Sequence, residues 1–438
     1  MRRSENETLV VQPSFGEAVQ LWLKIGLISF GGPAAQIAIL HEELVERRRW
    51  IDERTFLTAL NFCMLLPGPE AQQLAIYMGR QLHGVRGAIA AGVLFLLPGA
   101  AVLFGLAWLA AAHGDWPPLG AAFRGMLPIA FALVVMALFR IAGRTLKTRL
   151  SWAVAASAFA ALTIFEIGFP WVLLAAIATG ILADRFGLTL AAASYGNMSA
   201  AKAPASLQWR LEAFRIVQTT LVSAILWAAP IALTLAFFGP KPFLDIATFF
   251  TKAAFVTFGG AYAVLPYVAE KAVETYSWLS KSEMVHGLAL AETTPGPLIL
   301  VTQYVGFFAG WNAALAGQSG GLTPFAAATI AAGITTWVTF LPSFWFILIG
   351  APLVDHIARV KWAAAALSGV SAAVVGVIGT LAHTVGHVAL NPDQVPDFIS
   401  IGVALAAFVA GYRCKISALW LVLGGAAIGI IRFLLLAP

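Results

Sequence analysis

A short pattern built from lysine, glycine, tryptophan and proline occurs twice in this chain, and every feature recurs at the same spacing. The first copy consists of Lys24, Phe30-Gly31-Gly32, Trp50 and Pro67-Gly68-Pro69. The second copy consists of Lys252, Phe258-Gly259-Gly260, Trp278 and Pro295-Gly296-Pro297. Each residue of the first copy lies as far from its counterpart in the second copy as Lys24 lies from Lys252. This constant spacing indicates a duplicated unit. The chain is therefore expected to fold as two related halves.

The composition defines the environment of these halves. Of the 438 residues, 60% are hydrophobic and 11% are charged, and the mean hydropathy is +0.84. These values exclude a soluble globular protein and predict an all-α polytopic membrane protein. The 27 Lys and Arg against 21 Asp and Glu are typical of cytoplasmic loops, so nucleic acid is not an expected partner. The two cysteines, Cys63 and Cys414, have no disulfide or metal-ligand spacing, and no cofactor or metal is expected.

Apolar stretches of about 20 residues predict the membrane spans. Full spans are predicted at 88–111, 121–141, 216–238, 325–350 and 363–382. Helices broken by Gly and Pro are predicted at 15–44, 55–82, 246–273 and 283–309. Two helical hairpins are predicted, one pairing 152–165 with 170–183 and one pairing 398–411 with 416–437. A matched pair of broken helices in each half indicates a transporter binding site.

The chain divides into four predicted parts. They are an N-terminal cytoplasmic tail at 1–14, a first transporter repeat at 15–185, a linker with an extra membrane helix at 186–245, and a second repeat at 246–438. Pro98 and Pro342 correspond as well, but they lie farther apart than the motif pairs that precede them. A short insertion is therefore expected in the second repeat, around 311–324.

The positions of the basic residues predict opposite orientations for the two repeats. In the first repeat, Arg residues follow the first broken segment at positions 47, 48, 49 and 54, and loop 112–119 has no Lys or Arg. In the second repeat, loops 310–324 and 383–397 lack them, whereas Arg359 and Lys361 lie in the loop that matches 112–119. Because cytoplasmic loops are enriched in Lys and Arg, we expect inverted repeats. Basic residues on both sides of segment 55–82 favour a re-entrant hairpin there.

The broken helices are also the predicted binding site. Each break is expected to expose free N–H groups at a half-helix N-terminus, where the helix dipole favours an anion. Glycine and proline also allow kinks and close packing, but four matched breaks favour a substrate site. The predicted substrate-binding residues are Lys24, Phe30, Gly31, Gly32, Pro33, Pro67, Gly68, Pro69, Gln72, Lys252, Phe258, Gly259, Gly260, Thr294, Pro295, Gly296 and Pro297.

The charged members of this site have alternative interpretations. Lys24 and Lys252 either attract the anion or extend to the membrane surface. Glu70 and Glu292 are candidates for proton coupling or gating, because each is present in only one repeat. Alternatively, Glu70 stabilises the first turn of a helix or pairs with one of the two lysines. Polar neighbours such as Gln73, Thr302 and Gln303 either bind the oxyanion or join helices.

Enzyme signatures are weak in this chain. Gly317-Gln318-Ser319-Gly320 is similar to a Gly-x-Ser-Gly protease motif, and His383 or His387 would have to serve as its base. The motif lies in the insertion among Gly, Ala and Gln, which favours a flexible loop. The two histidines are four residues apart but lack a third metal ligand in the sequence nearby. The chain also lacks a Walker A sequence, which argues against a built-in ATP motor. Since each of these signatures is weak, no enzyme activity is expected.

The doubled motif set resembles the chromate ion transporter family in its long, two-domain form. The resemblance covers nearly the whole chain, with one departure at Ala261, where the first repeat has Pro33. It implies export of chromate from the cytoplasm, with sulfate as a structural mimic, and two halves that arose by duplication with opposite orientation.

Together these features predict a secondary transporter that exports chromate across the cytoplasmic membrane and confers chromate resistance. The alternatives are an anion channel, a transporter for another oxyanion such as sulfate, and a membrane enzyme or scaffold without flux. The expected partners are the oxyanion and the lipid bilayer. The oligomeric state is open, with a homodimer among the options.

Overall fold

The computed structural model describes residues 12–114, 116–188, 190, 209–351, 361–391 and 395–436. Most of the predicted tail, part of the predicted linker and Arg359 lie outside these residues. The described residues form sixteen α-helices and no strand. Seven of these helices are long and apolar enough to cross a membrane. The prediction of an all-α polytopic membrane protein is thereby confirmed.

The helices follow the predicted order of spans and breaks. Those of the first half are α1 (Phe15–Ile28), α2 (Gly32–His41), α3 (Glu53–Met64), α4 (Glu70–His113), α5 (Pro117–Thr145), α6 (Arg149–Thr163) and α7 (Phe169–Arg185). The extra helix is α8 (Trp209–Phe238). Those of the second half are α9 (Phe243–Phe255), α10 (Ala261–Glu270), α11 (Lys281–Thr293), α12 (Val301–Leu315), α13 (Pro324–Gly350), α14 (Lys361–Leu390), α15 (Phe398–Tyr412) and α16 (Ala418–Leu436).

The repeat is preserved in the backbone. Helices α1 and α9 begin at corresponding positions of the two copies, and so do α3 and α11. Arg49 and Ser277, which also correspond, are both non-glycine residues with positive φ, at 53° and 50°. Both copies contain a short π-helical turn, Glu42–Arg47 and Lys271–Thr275. The equal conformation at such unusual positions shows that the two halves are copies of one structural unit.

The insertion lies between α12 and α13 of the second half. In the first repeat, α4 runs across this point with only a kink, where His83 and Gly84 have non-helical dihedral angles. In the second repeat, a loop at 316–323 separates α12 from α13. The extra residues therefore replace a kink by a loop.

The first broken segment doubles back on itself. Glu43, just beyond the end of α2, lies 2.7 Å from the ammonium of Lys24 in α1. Since Lys24 precedes the break by only a few residues, α1 and α2 must be the two arms of a hairpin. Phe62 of α3 contacts Tyr77 of α4, so the second broken segment of this half also folds as two antiparallel arms.

Candidate functional site

The breaks of the two halves meet through a reciprocal pair of hydrogen bonds. The Gly68 amide donates to the Thr257 carbonyl at 2.7 Å, and the Gly296 amide donates to the Ser29 carbonyl at 2.8 Å. Both glycines have positive φ, 126° and 92°, which side chains rarely adopt. Each Pro-Gly-Pro break is thus joined to the Phe-Gly-Gly break of the other half, and the four predicted breaks form one centre.

This arrangement corrects one expectation. The amides of Gly68 and Gly296 are not free donors for an anion, because each is used by a carbonyl of the other half. The reason is that the carbonyls at the C-terminal ends of α1 and α9 have no partner in their own helix and need one. The first turns of α2 and α10 are different from these two amides. Their N-cap residues are Gly31 and Gly260, which make no side-chain hydrogen bond to the first N–H groups of the helix.

Three buried polar residues support the junction, and sequence reasoning missed them. The Ser29 and Thr257 hydroxyls each donate to a carbonyl of the preceding turn at 2.6 Å. The Gln36 amide nitrogen donates to the Ser29 carbonyl at 3.2 Å and to the Gly296 carbonyl at 2.5 Å. Ser29 and Thr257 are repeat partners and both carry a hydroxyl, so the repeat spacing contained the signal for them.

The predicted lysines lie away from this junction. The Lys24 side chain is 46% exposed and forms its ion pair with Glu43, whose own side chain is 5% exposed and also contacts Arg47 and Arg48. Lys252 is exposed in α9. Among the described residues, neither lysine is paired with Glu70. The alternative in which Glu70 pairs with a lysine is therefore not observed.

The two predicted coupling carboxylates have different surroundings. Glu70 is the first residue of α4, as expected for an acid in a first turn. Glu292 lies one helical turn before the second Pro-Gly-Pro break and accepts a hydrogen bond from the Tyr262 hydroxyl. The guanidinium of Arg140 in α5 is close enough to act on Glu292 electrostatically. Neither Tyr262 nor Arg140 was a candidate from the sequence.

The phenylalanines and prolines of the predicted site take supporting positions. Phe30 is exposed at the first break, whereas Phe258 is half-buried at the second. Pro33 lies in the first turn of α2, where a missing N–H costs no helical hydrogen bond. Pro67, Pro69, Pro295 and Pro297 are buried and flank the two junction glycines. Thr294 is buried and donates to the Ala291 carbonyl, so its hydroxyl is used within its own helix.

The residues considered for enzyme chemistry lie in two different elements. The Ser319 hydroxyl donates to the Leu322 carbonyl at 3.2 Å, and Gly317, Gly320 and Gly321 have the positive φ of a loop. His383 and His387 lie near the C-terminal end of α14. In the part of the chain that the structure describes, no group of three His, Cys, Asp or Glu side chains is arranged to hold a metal ion.

Comparisons with known proteins match both halves. A family model described as chromate transporter matches residues 16–181 and 244–430. The chain is 32% identical over 428 residues to the chromate transport protein of Pseudomonas aeruginosa, covering 96% of this chain and 93% of that protein. It is 27% identical over 427 residues to the chromate transport protein of Cupriavidus metallidurans, covering 96% and 94%. An uncharacterised transporter of Methanocaldococcus jannaschii is 25% identical over 345 residues, 79% of this chain and 78% of that protein. No solved structure matches the chain.

Proposed function

The chain belongs to the chromate transporter family, and from this membership we propose that it moves chromate out of the cytoplasm and so confers chromate resistance. The observation that carries the proposal is the junction, where the Gly68 and Gly296 amides join the four breaks of two repeated halves. Broken helices that meet between repeats are the usual construction of a transporter binding site. Two of the relatives described above, both chromate transport proteins by name, cover the same length.

The mechanism follows from the duplication. With the two repeats inverted, as the basic loops predict, rocking one repeat against the other would open the junction to one side of the membrane at a time. The proposal places the protein in the cytoplasmic membrane with its N-terminal end inside. An inside-negative potential then favours outward movement of a dianion by about 2.3 kcal/mol per charge per 100 mV.

The remaining parts of the proposal concern coupling and selectivity. Glu70 and Glu292 are proposed to gate the junction or to carry the coupled proton. Sulfate is proposed as a competing substrate, since it shares the tetrahedral shape and the charge of chromate. The proposed function is transport without a chemical reaction, and a homodimer remains among the options for the assembly.

Inverted membrane vesicles test this function directly. Chromate accumulation inside such vesicles should require the protein, increase with the membrane potential and fall in excess sulfate. A protein inserted at normal levels that moves no chromate under these conditions would contradict the proposal. Flux that never saturates with chromate concentration would instead indicate an anion channel.

A further inference from the structure

The two Pro-Gly-Pro breaks have the same backbone but opposite chemical surroundings. Position by position, the repeat pairs Glu70 with Leu298, Gln72 with Leu300, Gln73 with Val301, Ser343 with Gly99 and Thr339 with Phe95. At these five positions the residue beside the first break is polar and its partner beside the second break is apolar or glycine, whereas the second break has polar residues at other positions, such as Thr294 and Thr302. Duplication alone does not produce this division, because it would give both breaks the same side chains.

Two helices bring polar groups together at the first break. A Cβ placed on Gly68 would lie 2.6 Å from the Gln73 amide nitrogen and 3.0 Å from the Ser343 hydroxyl oxygen. The Gln73 nitrogen also donates to the Pro67 carbonyl at 2.7 Å. The break therefore lies between α4, which supplies the glutamines, and α13, which supplies Ser343 and, one helical turn earlier, Thr339.

These groups are buried without partners. Gln72 and Gln73 are 0% exposed, Ser343 is 1% exposed and Thr339 is 3% exposed. Neither amide atom of Gln72 has a hydrogen-bond partner, and the Ser343 and Thr339 hydroxyls and the Gln73 amide oxygen also have none. Buried polar atoms are normally paired, since an unpaired one loses its hydration without compensation. A ligand that accepts hydrogen bonds would satisfy the unpaired donors of this group.

The hydroxyl groups beside the second break are paired, although the Gln303 amide oxygen there has no partner. The Thr294 and Thr302 hydroxyls donate to carbonyls of their own chain segment, at 3.0 and 2.7 Å. A Cβ on Gly99 would overlap the Pro295 carbonyl oxygen, so α4 packs directly on the backbone there. The second break therefore has no room for a side chain at the position that Ser343 occupies beside the first break.

Resting on the proposed function, we propose that the oxyanion binds at the first break only, and that Ser343 and Thr339 of α13 bind it together with the Gln72 amide group of α4. Hydroxyls and an amide nitrogen donate hydrogen bonds and carry no charge, which suits a tetrahedral dianion that must be released again. Glu70 at the same end of α4 keeps its proposed role in gating or proton coupling and is not assigned as a ligand, because its carboxylate would repel the anion whenever it is ionised. Ser343 is the specificity-determining residue, since it replaces the glycine of the other break.

Reconstituted full-length protein tests the site by the KM for chromate. We expect Ser343→Ala and Thr339→Val each to raise KM about 10-fold or more, because a hydrogen bond to a charged ligand is lost. The rate at saturating chromate should stay within about 2-fold, and Ser343→Thr should restore much of the affinity, since the hydroxyl returns. Thr302→Val is the matched control at the second break and should leave KM unchanged. Unchanged KM in both α13 variants would overturn the proposal.

A thermal-shift measurement separates this inference from the proposed function. Chromate and sulfate should each raise the melting temperature of the wild type in detergent, and Ser343→Ala should lose that shift. If sulfate stabilises the wild type but the protein moves no chromate, the proposed chromate export is wrong while the binding site at the first break still stands. Full stabilisation of Ser343→Ala, or none of the wild type by either oxyanion, would overturn the site itself.

Discussion

The two repeats share a backbone and differ in how their broken helices are packed. Helices α9 to α12 belong to one large hydrophobic cluster that includes residues of α5, α14 and α16. Helices α1 to α3 form a separate, smaller cluster with the first part of α4 and the end of α13. As a result, Leu57 of α3 is 45% exposed, whereas its repeat partner Val285 of α11 is 2% exposed. One unit folded twice has thus taken two environments, and such an asymmetry is what the proposed alternating access would use.

Cysteine labelling should show the largest effect of this asymmetry. An open groove beside Leu57 is lined by Glu42, Glu46 and Glu53 together with apolar residues of α2 and α3, and we expect these carboxylates to keep the groove in contact with water. In a Cys414→Ser background, Leu57→Cys is expected to react with a polar thiol reagent at least about ten times faster than Val285→Cys, because only an exposed thiol is accessible. Cys63 is buried and should not interfere.

The labelling also tests whether the asymmetry belongs to one state of a transport cycle. Under conditions of active chromate turnover, Leu57→Cys should become slower to react and Val285→Cys faster. Equal reactivity of the two positions in the resting protein would contradict the asymmetric packing.

A second comparison concerns Gly99 and Ser343, which occupy matching places against the two Pro-Gly-Pro breaks. Gly99→Ala should destabilise the protein by about 1–3 kcal/mol, because the new Cβ overlaps the Pro295 carbonyl oxygen, which is backbone and cannot turn aside. Ser343→Ala should change stability little, since a Cβ is already present there. Melting temperatures in detergent, without added oxyanion, compare the two. Equal melting temperatures for both variants would contradict the different packing.

The reciprocal hydrogen bonds at Gly68 and Gly296 sharpen the comparison further. Alanine at either position should cost about 1–2 kcal/mol of stability, because both residues have positive φ. Only Gly68→Ala should also weaken oxyanion binding, since its Cβ would lie 3.0 Å from the Ser343 hydroxyl oxygen, a proposed ligand. The measurement pairs a melting curve with the KM for chromate. A larger loss of affinity in Gly296→Ala would reverse the assignment of the polar break.

Much of this architecture is readable from the sequence, and the reason is physical. Single prolines such as Pro98 and Pro128 lie inside helices here, but the Phe-Gly-Gly and Pro-Gly-Pro motifs do break them, so the breaks at 29–31, 65–69, 256–260 and 294–297 follow from the motifs. The repeat spacing then shows which breaks correspond. The sequence did not predict which amides stay free, because Gly68 and Gly296 find their acceptors in the other half. Ser343 and Thr339 were also missed. A single hydroxyl in an apolar helix gives no signal in the sequence, and only the structure shows that these two are buried without a hydrogen-bond partner.

The ion cluster around Glu43 provides a smaller difference between the repeats. Glu43 is contacted by Lys24, Arg47 and Arg48, whereas its repeat partner is Lys271. Glu43→Gln should lower stability by about 1–2 kcal/mol, because three cations lose a nearly buried carboxylate. Lys271→Gln is the matched control and should have almost no effect, since Lys271 forms a partly exposed pair with Glu270. Chemical unfolding in detergent compares them, and equal effects would show that the cluster contributes little.

The smallest effect is expected at the N-cap of α15, where the repeats differ in charge. Asp397 caps α15 and pairs with Arg432, while the matching helix α6 is capped by the neutral Thr148. Partial burial raises the pKa of Asp397, but the hydrogen bonds from Arg432 and Ser400 outweigh it and the pKa is lowered overall. A lowered folded-state pKa means that the stabilisation is present above the unfolded value, about 4, and is lost as the pH falls through the folded value. Asp397→Asn should therefore cost no more than about 1 kcal/mol at pH 7 and remove part of the acid dependence of unfolding below pH 4, because such an exposed pair is weak. Thr148→Val should lower the free energy of unfolding by the same amount at every pH, because threonine carries no charge. If the loss in Thr148→Val depends on acid pH, the two caps do not differ by charge alone.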